Sequence, residues 1–559
     1  MFSLSQYSLL PKNSTMKKFM FTLMAVVLSA GISFAQENWS NIDQSGMDNE
    51  ATVLQTGLWN MSDVLQIGDY NVADVTQDGF LNYSSIVQVG WDNLAMVDQL
   101  GTNTSIISQF FTESNKAYVM QRGANLSVID QFWGVDNIAS VYQNGMNTSF
   151  IYQWFSTWVE AYVDQIGYFN YSMIDQMSVW DIAYVFQYGD FNTSYITQYD
   201  NFYSIADVFQ LGYDNFSMID QMMGYRDLAM VTQFGDYNSS YITQDYNERA
   251  RATVVQDGSW NLADVYQFGG LYNSTNINQM GYDNWAFATQ VYGILNHIEI
   301  EQYYDINTAY ATQFDGFFNT AYIGQLGAWN LAETYQEFGM FNYAGIAQMG
   351  DFNRAEATQL GGYGNWAGLV QYGYFNKAEA LQIGGEDNTI YAEQDGDHNY
   401  AGMYQEDGMY NLSNVLQLGH GNMAYTEQIG GEANEIYVVQ EGMHNMSETY
   451  QFGGAGTVAL VDQFGDYNYS GILQSNVTNS VADVAQEGMF NESIIYQYNG
   501  DNNVAEVTQT GDFNFSGILQ VGSDNTATVE QDGFGHFSTV TQFGNGNTAT
   551  VTQLNTPTP

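Results

Sequence analysis

The sequence contains no cysteine, and its 559 residues include only three prolines and ten lysines plus arginines. Without cysteine there is no disulfide, no thiol nucleophile and no Cys-based zinc site. The prolines are Pro11, Pro557 and Pro559, so the long span between them has none. Proline cannot donate to a β-ladder and is kept out of central strands. A proline-free span of that length predicts an uninterrupted strand array. Ten cations stand against 61 acids, a formal charge of −51. That balance excludes nucleic acid as a partner, because phosphates are bound by Lys and Arg. Charged residues reach 13%, about half the usual ~25%. After residue 35 no apolar run is long enough for a membrane-spanning helix. What is present is 45% hydrophobic and 16% aromatic residue and 55 glycines, too apolar for a disordered acidic chain.

The N-terminus reads as a secretory signal. Lys17 and Lys18 form a basic start, residues 19–30 an apolar run too short to span a membrane, and Ser33-Phe34-Ala35 a cleavage signal before Gln36. The expected division is a signal region over 1–35 with Met16 as true start, a folded body over 36–553, and a C-terminal tail over 554–559. Lys12, Lys17 and Lys18 precede the cut, leaving seven cations against 61 acids, a formal −54.

From residue 38 onward the chain is periodic. Asn71-Val-Ala73-Asp-Val75-Thr-Gln77-Asp-Gly79 is followed by a unit with Asn82, Ser84, Ile86, Gln88 and Gly90, then by one with Asn93, Ala95, Val97, Gln99 and Gly101. The pattern is N-x-[A/S]-x-[V/I]-x-Q-x-G-x-x. Of 48 glutamines, 46 form one series from Gln44 to Gln553 at spacings of 10 to 12. Through Gln198, Gln221, Gln244 and Gln267 every second glutamine recurs at 23, and nearer the ends at 22. Such a period signals a repeat array. Within a unit the four patterned side chains occupy every second position, so they share one face of a strand. The Gly segment that follows is a turn. Ala accompanies Val and Ser accompanies Ile in alternate units, which predicts two different strands per coil. The expected fold is therefore all-β, a two-strands-per-turn β-solenoid of 23 rungs from 46 units, ~110 Å long at the cross-β spacing. Stacking then sets Gln on Gln and Asn on Asn, each amide donating one way and accepting the other. From Ala288 to Thr449 the Val/Ile slot holds Ala or Thr at Ala311, Thr334, Ala357, Ala380 and Thr426. That predicts a thinner core and earlier local opening there.

These units resemble the curlin repeat, the building unit of bacterial curli fibres, whose pattern reads S-x5-Q-x4-N-x5-Q. Gln77-x4-Asn82-x5-Gln88 and Gln88-x4-Asn93-x5-Gln99 match it, with Asn82 standing where the family has Ser. The likeness runs over residues 38–553. It implies a secreted structural subunit of a curli-like amyloid fibre, assembling rung on rung, in cell adhesion and biofilm matrix. The implied partners are further copies of the chain, a curli-type outer-membrane secretion channel and a nucleator. The implied location is the extracellular surface of a Gram-negative-type bacterium. The expected assembly ends are Gln44 and Gln55 at one end and Gln542 and Gln553 at the other. The first unit, Asn38 to Gln44, follows the predicted cut without the short targeting segment of curli subunits.

Sharper chemistry is weakly supported. His398, His420, His444 and His536 lie in or beside turns, and His297, Glu299 and Glu301 share an outward strand face of poor metal geometry. The acids recur in turns (Asp69, Asp92, Asp190, Asp236, Asp466, Asp512) and at outward slots (Asp63, Asp74, Asp207, Asp264), and read as solvated charge. Outward aromatics such as Tyr162, Tyr184 and Phe186 form no single regular stripe in the sequence. There is no phosphate loop and no H-E-x-x-H, and exposed carboxylates are expected to keep ordinary pKa values. No enzyme activity, cofactor or metal is therefore expected. The alternative function is a monomeric extracellular β-solenoid, an adhesin or a ligand- or ice-binding module. Ice binding wants a flat Thr array, whereas the residues before Gln are Leu65, Thr76, Val87 and Asp98.

Overall fold

A computed structural model of the chain describes residues 38–555. The segment 1–35 and the last four residues, where the signal region and most of the tail were expected, lie outside them. The described residues hold 44 strands, numbered in chain order from β1 (Trp39–Ser45) to β44 (Thr548–Leu554), and no helix. They form a parallel β-solenoid of about 22 coils. The 46 sequence units give 44 strands because two pairs of units run together. Gln143 and Gln153 share β10 (Ile138–Trp154), and Gln165 and Gln176 share β11 (Glu160–Val179).

Outside the two long strands β10 and β11, which also pair with their immediate neighbours, each strand pairs in parallel with the strand two further on. β1 pairs with β3 (Met61–Asp69), and β2 (Glu50–Leu58) with β4 (Val72–Phe80). The register places like on like: Gln44 opposite Gln66, Ala51 opposite Ala73, Val53 opposite Val75. A slip by one residue would turn every core side chain to solvent. The partner lies 22 residues on near the ends (Gln44 and Gln66, Gln531 and Gln553) and 23 in the middle (Gln198 and Gln221). The extra residue enters the odd-to-even turns. There, single-residue parallel bridges run from Glu113 opposite Val135 to Ala455 opposite Thr478.

The turns explain the glycines. Gly212 has φ of +139°, and a Cβ there would sit 1.9 Å from the Gly235 carbonyl oxygen of the next rung. In most units the residue just before the Asn slot is also left-handed, at a cost for any residue with a Cβ. Trp59, Trp180 and Trp260 have φ between 60° and 63°.

The interior is thin. Ala73, Val75, Ile86 and their successors are buried, together with the Asn, Ser and Gln columns. In the middle of the array the bulk changes sides. Where the odd strands carry Ala288, Ala311, Ala357 and Ala380, the even strands carry Ile300, Ile323, Ile346 and Leu369, all buried. The even strands near the N-terminus carry the smaller Val75, Val97 and Val119 at this slot. The expected thinning is therefore partly offset by the facing strand set.

The Ser column carries a cost that the pattern did not reveal. Ser84 Oγ donates to Ser62 Oγ at 3.1 Å. The Oγ atoms of Ser105, Ser127, Ser149, Ser172, Ser194, Ser217 and Ser240 are buried without a partner. From Ala263 to Ala424 the same column is alanine. An unpaired buried hydroxyl costs about 1–3 kcal/mol. Ser127→Ala and Ser149→Ala are each expected to stabilise the chain by about 1 kcal/mol, read as a higher denaturant midpoint; an unchanged or lower midpoint would refute it.

Candidate functional site

The repeat positions form two side-chain amide columns. On the odd strands Gln44 Nε2 donates to Gln66 Oε1 at 2.6 Å, and Gln88 to Gln109 at 2.9 Å. The column continues through Gln198, Gln221, Gln244 and Gln267, at 2.8–2.9 Å per step, to Gln542. On the even strands Gln55 donates to Gln77, Gln77 to Gln99 and Gln99 to Gln121, at 2.8–3.0 Å, and the last step is Gln531 to Gln553 at 2.7 Å. From Gln55 on, each Nε2 also reaches across the interior to a backbone carbonyl, as Gln77 does to Met61 O at 2.9 Å. A glutamine thus ties three strands together, and its buried amide is satisfied on both sides.

Asparagine does the complementary work in the turns. Asn71 Oδ1 accepts Asn93 Nδ2 at 2.9 Å and Asn93 N at 3.3 Å, and Asn82 Nδ2 and N donate to Asn60 Oδ1 at 3.0 and 3.1 Å. Asn71 Nδ2 in turn donates to Gly90 O at 3.0 Å. Gln side chains donate toward the C-terminal rung, while Asn Oδ1 accepts from it. The two ends of the solenoid therefore present different hydrogen-bonding faces.

The first and last rungs of the described residues are exposed. β1 is exposed along its whole length, and Ile42 keeps 42% of its surface. At the other end β44 alternates between half-buried and exposed residues, and Gln553 Nε2 bonds Phe537 O at 3.0 Å, with no further rung above it.

Several acids depart from the expectation of freely solvated charge. In the turns, Asp69, Asp190, Asp466 and Asp512 accept backbone N–H groups from the preceding rung at 2.7–2.9 Å, Asp69 from Met47 and Asp512 from Met489. On the strands, burial pushes Asp130, Asp175 and Asp220 up to about 6. Asp130 and Asp175 flank Tyr152 on adjoining rungs, and burial followed by the Asp130 charge lifts that phenol to about 12. The outward slots are thus less wet than alternation implies, because aromatic neighbours one rung away cover them.

The aromatics also stack. From Trp329 through Phe352, Phe375, His398, His420 and His444 to Phe534, turn rings follow one another with centroids 4.8–5.8 Å apart. Three histidines distant in sequence therefore lie on neighbouring rungs. The usable signal was the slot before Asn, where aromatics alternate with Gly, Asn and Asp, the residues that tolerate a left-handed backbone. His536 takes an Asn slot, its N–H donating to Asn514 Oδ1 at 3.0 Å. His297 Nε2 lies 3.9 Å from Glu299 Oε2. Among the described residues no group of three or more His, Asp or Glu is arranged to hold a metal ion, and no helix is long and apolar enough to cross a membrane.

Gln221→Leu removes one donor–acceptor link from the odd column. It leaves the Gln198 Nε2 proton, the Gln244 Oε1 lone pair and the Ile205 carbonyl without this partner. The expected cost is about 2–4 kcal/mol, read as a lower unfolding midpoint than that of Thr243→Leu, an outward control on the adjoining rung. Equal midpoints would refute the role.

The family model described as curlin associated repeat matches seven segments: 46–79, 68–101, 273–303, 385–430, 477–511, 500–533 and 522–554. No curated protein matches the chain.

Proposed function

The chain is a member of the curlin-repeat family, and from that premise we propose that it is a structural subunit of a curli-like amyloid fibre. In this reading it is exported by way of the 1–35 signal region and a curli-type outer-membrane channel. It then grows outside the cell, from a nucleator or from its own ends, into a fibre that serves adhesion and biofilm matrix. Each coil is read as two strand–turn units, which the pairing of every strand with the next but one supports. Repeat family and solenoid fit a structural protein rather than a catalyst.

The observation that carries the proposal is the match between the two end rungs. β43 (Phe537–Phe543) offers Ser538, Val540 and Gln542, and β1 offers Ser40, Ile42 and Gln44. β44 offers Ala549, Val551 and Gln553, and β2 offers Ala51, Val53 and Gln55. A second copy placed beyond β44 would continue both strand sets in phase, Ser over Ser and Ala over Ala. Both ends carry the shorter rung of 22 residues, so the turns would match as well. Gln542 and Gln553 would donate to the Oε1 atoms of Gln44 and Gln55 in that copy. The reverse contact, C-terminal face on C-terminal face, would set Nε2 donors against one another. A contact between unlike faces that does not close gives filaments, and unpaired strand edges template it.

The test is growth of the chain from residue 36 at neutral pH, with and without sonicated fibre seeds, followed by thioflavin fluorescence and electron microscopy. Unbranched fibres with a lag shortened by seeds are expected; a chain that stays monomeric and thioflavin-negative for days would overturn the proposal. Val551→Lys, an inward residue of the last rung, is expected to slow elongation more than about tenfold, because it buries an unpaired charge only at the junction. Thr550→Lys on the outward face is the control. With seven cations against 61 acids after residue 35, magnesium or added salt is expected to shorten the lag by screening; a salt-independent lag would contradict that.

A further inference from the structure

One of the two Asn columns is interrupted over five consecutive rungs. After Asn137 the slot holds Val159, Asp181, Ser204, Asp227 and Ala250, and asparagine returns at Asn273. The backbone keeps the column's geometry through the break. Val159 N donates to Asn137 Oδ1 at 3.1 Å, Ser204 N to Asp181 Oδ1 at 2.7 Å, and Ala250 N to Asp227 Oδ1 at 2.8 Å. Asp227 N reaches only Ser204 Oγ, at 3.3 Å. Asp181 and Asp227 are both fully buried.

An asparagine in this column uses both ends of its amide. Asn319 Oδ1 accepts Asn342 N at 3.0 Å, and its Nδ2 donates to Gly339 O at 3.1 Å. Asp181 and Asp227 reproduce the first bond. Their other oxygen, Oδ2, is buried without a partner in both. Asp227 Oδ2 lies over Gly224 as Asn319 Nδ2 lies over Gly316, so an acceptor stands where the column has a donor.

We propose that Asp181 and Asp227 form a proton-operated weak point in the solenoid, holding the 159–250 stretch shut while their Oδ2 atoms are protonated and loosening it when they ionise. A carboxylic acid carries one donor and one acceptor oxygen, as the amide does. With the proton on Oδ2 it mimics asparagine; without it, a negative oxygen is buried where a donor belongs.

The surroundings favour the neutral form. The charged residues in and beside these turns include Glu160, Asp200, Arg226, Asp245, Glu248, Arg249 and Arg251, with Asp164 and Asp207 on the neighbouring strands. Burial is the main cause lifting both carboxyls to about 7, ahead of the Ser204 and Ala250 N–H bonds and the Ser178 hydroxyl, which act the other way. Asp181 and Glu248 push Asp227 further up through space. Arg226 and Arg249 face outward on tyrosine rings, their Cζ atoms 5.0 Å from the Tyr225 and Tyr272 centroids. The folded-state value lies above the unfolded one. The stability these acids contribute is therefore fully present below about pH 4 and lost as the pH rises through about 7.

Hydrogen exchange of the chain at about pH 5 and about pH 8, corrected for the intrinsic rates, tests this. Protection over 159–250 is expected to fall by about tenfold or more relative to the intact column at 273–434. The double variant Asp181→Asn/Asp227→Asn restores the column residue and is expected to shrink that difference to the part that Asp175 and Asp220 contribute. Asp175 and Asp220, outward acids of the same stretch, stay in place as the internal control. Asn319→Asp is expected to transplant the same sensitivity to its own rungs. If the double variant loosens at the higher pH as much as the parent, or if Asn319→Asp adds no sensitivity, the proposal is wrong.

Discussion

Everything in this solenoid depends on a side-chain amide being able to donate to one neighbouring rung and accept from the other. Parallel strands lie about 4.8 Å apart, and a primary amide stacked on its twin at that spacing makes one hydrogen bond up and one down. Gln221 shows the bonds in full: it accepts from Gln198, donates to Gln244 and crosses to the Ile205 carbonyl. No aliphatic residue in the slot would fix register this way. A core of Ala, Val and Ile alone would tolerate a slip of two residues, which keeps the inward face inward, whereas Gln and Asn would lose their partners in that alignment.

The same constraint explains where residues other than amides are tolerated and at what cost. A carboxylate in a turn works because the preceding rung offers it a backbone N–H, as Met47 does to Asp69. A serine in the core works less well: Ser84 reaches Ser62 on the adjoining rung, but the Oγ atoms from Ser105 to Ser240 find no partner. The alanines from Ala263 to Ala424 avoid that cost and give up apolar bulk on the odd strands, some of which the even strands supply through Ile300, Ile323, Ile346 and Leu369. Hydrophobic and polar costs are thus exchanged along the length of one rod.

The first and last described rungs are exposed. Every interior rung is covered above and below, but the first and last expose unlike faces of the same ladders. Spreading 61 acids over a rod keeps like charges apart. A fold whose growth direction coincides with its hydrogen-bond direction fits a structural subunit better than a module that recognises a ligand on its side.

Period, strand and turn were legible in the sequence because the spacing of Gln44 to Gln553 repeats one physical unit, and alternation within Asn71–Gln77 sets which side chains face inward. The parallel pairing and the stacking of Gln on Gln followed from that period. What the spacing did not carry was the environment each column creates one rung away. The Asp130–Tyr152–Asp175 contact, the run of rings from Trp329 to Phe534 and the buried pair Asp181 and Asp227 involve residues 21 or more positions apart, whose identities vary from unit to unit. Sequence by itself determined the repeating backbone, since period and hydrogen-bonding capacity are properties of a single unit. Only the tertiary structure decided which acids lose water, which hydroxyls go unpaired and how the two ends differ, because those depend on what the neighbouring rung places 4.8 Å away.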